Sequence, residues 1–417
     1  MKKTILLLCL LAPIVLFSQT TMDSTKLLKV FLSNVSNEDY LKSKIVFVNF
    51  VRDRNIAQVV LIETRQTTGS SGTLFNYIFI GQESFSGKND TLQFTSNVNS
   101  TADEIEKSEV QTISLGLIQY VSHTPASSAL VVKYIDPVIN QSDDEEKDKW
   151  HHWLYSIGVY GNASGEKSNT SLYLSGSVSA DHVTNEWKIN LAADYSYSYD
   201  SYTYSGYSFI NKQYSKSFSA LAVKSLSDHW SAGLSSDIYH SQYSNFQVSE
   251  NICPTLEYDV FKYDASATHL LTFKLRAEPT YNHYIDTTIY NQTEEFIMGS
   301  TMSARFSLKE KWGSISSNVS GSVILDDPDK HNLSLSGNMS WNILQGLSMS
   351  LFGSLNIIHD QINLPKQGAS QEELLLQLHE LQTNFRYYGY LSLSYSFGSI
   401  FNNIVNPRFE SSSNYYY

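Results

Sequence analysis

From Trp153 to Tyr395 the chain repeats one pattern with small changes. In one copy Leu333, Leu335, Gly337, Met339, Trp341 and Ile343 alternate with Ser334, Ser336, Asn338, Ser340 and Asn342. A period of two is a strand with one apolar and one polar face. Each copy is long enough to cross a bilayer when tilted, which takes roughly 9–11 residues. A soluble sandwich would turn its Leu and Val faces inward and join its strands by short turns. Here the polar face is mostly Ser, Asn and Tyr, and the connections alternate short and long. The pattern predicts an all-β transmembrane barrel of about 12 antiparallel strands, apolar outside and wet inside.

The strands are expected at 152–163, 168–181, 186–198, 212–226, 229–242, 250–263, 268–283, 294–310, 313–325, 332–344, 347–359 and 384–398. Connections after every second strand are short, near His182–Asn185, Ser227–Asp228, Asp264–Ser266, Lys311–Trp312 and Leu344–Gly346. The others are mostly longer and carry Tyr, Asp, Asn and Pro. Short periplasmic turns and longer outer loops are the known asymmetry of such barrels. The longest outer connection, 360–384, contains a short amphipathic helix pattern from Gln371. It can act as a lid, as a plug, or as a plain surface loop.

The front of the chain reads as an address. Lys2 and Lys3 precede an apolar run from Ile5 to Phe17, then Ser18 and Gln19. That is a signal peptide over 1–19, too short to span a membrane. No later run reaches the roughly 18 apolar residues of a spanning helix. Cys253 is then the one cysteine kept after processing, so no internal disulfide forms. A net charge of −12 and a pI near 5.4 leave no basic footprint for nucleic acid.

Residues 20–137 form a second region, expected to be a periplasmic α+β domain. A helix is predicted over Asp39–Asp53, and strands over Gln58–Thr64, Leu74–Gly81 and Asp90–Phe94. Thr101 three residues before Glu104 is a capping box, opening a helix to about Val121. An acidic linker, 138–151, separates the domain from the barrel over 152–399, and a periplasmic tail follows, 400–417.

Parity assigns the charges of the barrel. Trp187, Ile189 and Leu191 face lipid, so Lys188 and Asp194 face the lumen. By the same rule Glu257, Asp259, Lys274, Arg276, Arg305 and Lys309 point inward. A charge on the lipid face costs about 2–4 kcal/mol at the midplane for Arg or Lys, so inward placement is the physical default. The cluster is either an ion-selective constriction or a salt-bridge network that fills a narrow lumen. Arg52, Asp53 and Arg54 form the sharpest polar cluster of the front domain. They can bind a partner's carboxylate or phosphate, or cap the predicted helix at its C-terminus. His240-Ser241 and His359-Asp360 stand at strand ends outside any nucleophile setting. His151 and His152 point to opposite faces of a strand. No catalytic residue, cofactor or metal ligand is therefore assigned.

The strings Phe47-Val-Asn-Phe-Val-Arg-Asp-Arg, Ala57-Gln-Val-Val-Leu-Ile, Thr68-Gly-Ser-Ser-Gly and Tyr77-Ile-Phe-Ile-Gly resemble a family of uncharacterised bacterial outer-membrane proteins. The tail from Tyr395 through Asn-Pro-Arg-Phe409 resembles it too. The resemblance implies export and a barrel, and brings no activity. The order helix, strand, Gly-rich turn, strand, helix is also similar to the N-terminal domain of TolB-like periplasmic proteins. That likeness implies docking of a periplasmic protein partner through residues 20–137. The expectation is a non-enzymatic channel or export component, with outer-membrane lipid around it and a small solute or client chain inside. The alternative is a closed structural or adhesion barrel presenting its loops, with a lipid-acting enzyme as a third reading.

Overall fold

The computed structural model describes residues 27–131, 148–204, 207–344, 346–366 and 380–398. The expected signal peptide, most of the acidic linker, the Gln371 segment and the tail beyond 398 lie outside them. Two sheets account for almost all of the described structure.

The first sheet has five strands: β1 (Leu28–Ser33), β2 (Val48–Phe50), β3 (Val59–Thr67), β4 (Thr73–Gly81) and β5 (Asn89–Ser96). Their order is β2-β1-β3-β4-β5. β1 runs parallel to both β2 and β3, and β3, β4 and β5 are antiparallel. Two helices join them, α1 (Glu38–Lys44) and α2 (Ala102–Val121). The capping box forms: Glu104 N–H donates to the Thr101 side chain, and the Glu104 carboxylate accepts from Thr101 N–H. α2 lays Ile113, Leu117, Tyr120 and Val121 on Val59, Leu61, Tyr77 and Phe79 of the sheet, all of them fully buried. Gly116 makes this close approach available, since a Cβ there would stand 2.2 Å from the Phe79 ring.

One expectation fails here. The helix predicted over 39–53 ends at Lys44, and β2 replaces its second half. Ile45 through Phe50 is rich in β-branched and aromatic residues. Parallel pairing with β1 buries Val48, Asn49 and Phe50 and overrides the mixed local spacing. β1 itself had no counterpart in the sequence reading.

The second sheet is a meander of twelve antiparallel strands: β6 (Trp153–Gly165), β7 (Asn169–Val183), β8 (Trp187–Tyr204), β9 (Tyr207–Ser225), β10 (Trp230–Ser241), β11 (Phe246–Asp259), β12 (His269–Tyr284), β13 (Glu294–Glu310), β14 (Gly313–Ile324), β15 (Asp327–Leu344), β16 (Leu347–Ile358) and β17 (Phe385–Tyr395). Number and order match the sequence pattern, but the alternation of connections does not. β8 runs on to Tyr204 and β9 starts at Tyr207, and β14 ends at Ile324 and β15 starts at Asp327, where the pattern predicts longer loops. The β11–β12 connection, expected to be short, runs over 260–268. Closure does not appear: β6 and β17 are the edges of an open sheet.

The sheet is nevertheless strongly curled. Ten inter-strand steps of about 4.8 Å would hold β7 and β17 roughly 48 Å apart if it were flat. The small front domain touches the short-turn end at both places. Gly69 lies on Val183 at the end of β7, where a Cβ on Gly69 would meet Val183 Cβ at 2.6 Å. Phe31 and Arg52–Asn55 share a cavity of about 190 Å³ with Leu344, Leu347 and Ser396, the last just past β17. A domain of ~100 residues has a radius of gyration near 13 Å, so it spans both contacts only because the sheet curves back.

Candidate functional site: the polar face and its two covers

Register places the charged residues. Residues directly opposite in neighbouring strands share a face, and Glu257 stands opposite Lys274, Thr255 opposite Arg276, and Arg305 opposite both Thr272 and Asn318. This is the Ser- and Asn-rich face. Cys253, Ser249, Thr272 and Asn282 on it are buried. The opposite face carries Ile157, Leu234, Ile252, Leu275, Met302 and Leu391, all exposed, with Ile157 at 82% and Met302 at 61%. The polar face is thus the inside of the curl and the apolar face its outside.

Two ion clusters form on the inner face. Lys274 Nζ stands 2.9 Å from Glu257 Oε2. Arg276 bridges three strands: Nη2 is 3.6 Å from Asp237, Nη2 donates to Cys253 Sγ at 3.1 Å, and Nε is 3.2 Å from Glu278 without hydrogen-bond alignment. The Cys253 thiol in turn donates to Asn251 Oδ1 at 3.2 Å. Asp237 and Glu278 were absent from the sequence assignment, although parity alone places them opposite Asn251 and Gly299 on this face. The other candidates stand apart. Asp194 accepts from Ser217 at 3.4 Å. Lys188 lies opposite Val183 and Val223, with no partner among the described residues. Asp259 lies opposite Thr272 at the short-turn end. Arg305 borders a cavity of about 380 Å³ with Ser316, Asn318, Asn338 and Phe352. Lys309 lies near the short-turn end of β13, opposite Ser314.

Aromatic rings collect on the outer face at the short-turn end. Trp153 packs on His182, Trp230 on Tyr258 at 4.8 Å between centroids, and Lys224 lies over the Trp187 ring at 5.3 Å. Rings with an apolar body and a polar edge, in one row at one end of the strands, suit a boundary between two media.

The front domain lies against the short-turn end of the sheet. Besides the contacts of Gly69 and Arg52–Asn55, Gln66 Nε2 donates to Ser266 Oγ at 3.3 Å in the β11–β12 turn. Arg54, Gln82 and Glu83 share a second cavity with Glu310, Lys311 and Trp312 after β13. Arg52, Asp53 and Arg54 therefore lie at this junction. The helix-cap reading of them fails, because α1 ends eight residues earlier, at Lys44. Asp53 instead caps the 3-10 turn Arg54–Ile56, accepting from Asn55 N–H at 2.9 Å.

Inside the domain a polar network stands where α2 meets β3 and β4. Glu109, wholly buried, accepts from Tyr77 Oη at 3.1 Å, Asn37 Nδ2 at 3.3 Å and Arg65 Nη2 at 3.4 Å. Glu63 accepts from Ser36 N–H at 3.0 Å and from Arg65 Nε. Burial pushes the Glu109 carboxyl above the usual carboxylate range. Burial first, and the Glu109 charge second, hold the Tyr77 phenol far above its ordinary value. Every carboxylate oxygen here has a donor, so the network fixes the loop before α1 to the sheet and to α2.

The long-loop end of the sheet is crossed by a segment of its own. The chain leaving β16 reaches the tips of two distant hairpins. Asn363 Nδ2 donates to Ser244 O at 3.1 Å, and Asn245 Nδ2 donates to Asn363 O at 2.8 Å. Ile289 N–H donates to Leu364 O at 2.8 Å, and Thr288 pairs with Pro365. Ile362, Asn363 and Leu364 are buried by this crossing. The described part of the 360–384 connection is a strap from β16 to the β10–β11 and β12–β13 tips, not a free surface loop. No family model matches the chain, and no curated protein matches it in sequence.

Proposed function

We propose that the twelve-stranded sheet is an outer-membrane β-barrel whose lumen is shut at both ends in this state. On this reading the chain is exported by its first 19 residues, the front domain covers the periplasmic mouth, and the strap covers the outer one. It is a gated, non-enzymatic conduit for a small solute or client chain, opened when a periplasmic partner draws the front domain away and the strap releases the two hairpin tips. The observation that carries the reading is the exposed apolar outer face opposed to a polar, charged inner face. Monomeric soluble proteins rarely expose contiguous apolar patches beyond a few hundred Å². The aromatic row supports the same boundary. The likeness of the Phe47 and Tyr395 strings to outer-membrane proteins agrees with it.

The reading requires closure. Unpaired backbone groups in hydrocarbon cost several kcal/mol each, so β6 and β17 must pair in a bilayer. As first and last of an even meander they meet antiparallel. A second reading, a permanently closed structural barrel, is favoured by the two covers themselves. Planar-bilayer recording separates the two. The gated reading expects a silent full-length protein and stepwise conductance once residues 20–145 are removed and the strap is loosened by Asn245→Ala with Asn363→Ala. Silence in both forms would favour the structural barrel, and a protein soluble without detergent would end both readings.

A further inference from the structure

We propose that His331 and His359 form a two-imidazole site for a divalent transition cation, Zn²⁺, Ni²⁺ or Cu²⁺, at the root of the strap. His331 lies in β15 and His359 is the first residue beyond β16, where the strap begins. Backbone pairing fixes the two: His359 N–H donates to His331 O at 2.9 Å. His359 Nδ1 stands 3.2 Å from His331 Nε2. Two ligands of a tetrahedral zinc at about 2.0–2.1 Å each stand roughly 3.3 Å apart. The ring centroids are only 4.8 Å apart and the planes tilt by 57°, so the nitrogens do not meet head on. Without a cation, His359 Nδ1–H donates to His331 Nε2, and a bound cation would replace that proton.

The outer partner of His331 completes the case. Its Nδ1 lies 3.1 Å from Pro328 O, an atom that can only accept. Nδ1 is therefore the protonated nitrogen, which leaves Nε2 with its lone pair toward His359. A ligating imidazole held by a carbonyl on its other nitrogen is the usual arrangement at metal sites. Nitrogen donors select borderline transition cations over Ca²⁺ and Mg²⁺. The nearby Lys330 is drawn off, 3.3 Å from Asp327 and over the Tyr290 ring. Among the described residues no third His, Cys, Asp or Glu joins the pair, so water completes the shell and the cation is exchangeable. A bound cation would tie β15 to the strap's first residue.

The test uses tag-free full-length protein in detergent, titrated with Ni²⁺ or Zn²⁺ by calorimetry, with Mg²⁺ as the control cation. The wild type is expected to bind one equivalent that both His331→Gln and His359→Gln lose, with affinity falling at least about tenfold. His152→Gln, at the opposite end of the sheet, should keep that equivalent. Both rings are exposed, so the variants retain the fold, checked by their circular dichroism. Absence of binding in the wild type would sink the proposal. So would an equivalent that survives in either His331→Gln or His359→Gln.

Discussion

The two regions use the same residue types in opposite ways. In the front domain Leu28, Leu61, Ile113 and Leu117 are fully buried. In the curled sheet Ile157, Leu275, Met302 and Leu335 stand exposed, and Ser249, Thr272, Asn282 and Cys253 are buried alongside a few apolar residues such as Phe246 and Ile324. The front domain is folded by water. On the proposed reading, the large sheet is arranged for a medium in which Leu needs no cover. Charges obey the same division: Glu109 is buried among donors within an apolar core, whereas Arg276 and Lys274 pair along a polar wall.

Arginine at two leucines gives the largest test of that contrast. Leu61→Arg puts an unpaired charge in a dry core and should cost more than about 4 kcal/mol, unfolding the domain. Leu335→Arg lies on the exposed face and should be nearly neutral in an aqueous setting. In bilayers it should cost about 2–4 kcal/mol, read from denaturant titration of protein refolded into vesicles. A neutral Leu335→Arg in vesicles would break the contrast, for the outer face would then be facing water.

Glu109 comes next. Glu109→Ala strands the Tyr77 hydroxyl, Asn37 and one arm of Arg65, and should cost about 3 kcal/mol. The pH dependence carries a definite sign. A carboxyl whose folded pKa lies above its ordinary value binds its proton more tightly in the folded domain. Stability from this group therefore falls as pH rises from the ordinary value through the folded one. Protection of the α2 amides in the full-length protein, corrected for intrinsic base-catalysed exchange, should fall as pH rises above the usual carboxylate range. Glu109→Gln should flatten that slope. An α2 that tightens as pH rises would reverse the assignment.

Much of this architecture was legible in the sequence, and the reason is locality. Strand alternation, short turns and the Thr101–Glu104 box are set by residues within a few positions of one another. All twelve strands of the meander could therefore be read, while β1 could not. β1 gains its partners Val48–Phe50 and Val59–Ile62 only through parallel pairing across α1 and the β2–β3 connection. The same holds for the strap. Asn245 and Asn363 are 118 residues apart, and a single Asn in a loop carries no periodic signal. Asp237 and Glu278 were missed differently, since parity would have placed them with Arg276 had every strand been indexed.

Glycines sharpen the contrast on a smaller scale. Gly116 faces the Phe79 ring, so Gly116→Ala gains helix propensity but forces the ring aside, and a net loss of about 1–3 kcal/mol is expected. Gly353 in β16 has open space where a Cβ would go. Gly353→Ala should leave stability unchanged within error by thermal melting. Equal losses at both sites would mean that the outer face is packed against something it does not touch here.

The smallest expected effect concerns a pair that looks strong on paper. Lys262 Nζ donates to Asp228 at 2.9 Å, linking the β9–β10 and β11–β12 turns. That hydrogen bond holds the Asp228 carboxyl below the usual carboxylate range and the Lys262 amine above its own. Both side chains are exposed, so water and salt screen what the geometry offers. Asp228→Asn should therefore leave the melting temperature unchanged, in low salt as in high. Glu109 and Asp228 each accept a hydrogen bond from a cationic side chain, and only Glu109 does so out of contact with water. A loss at Asp228 comparable to that at Glu109 would require the turn end to be sealed from solvent, drawing the front domain further over the mouth than its present contacts.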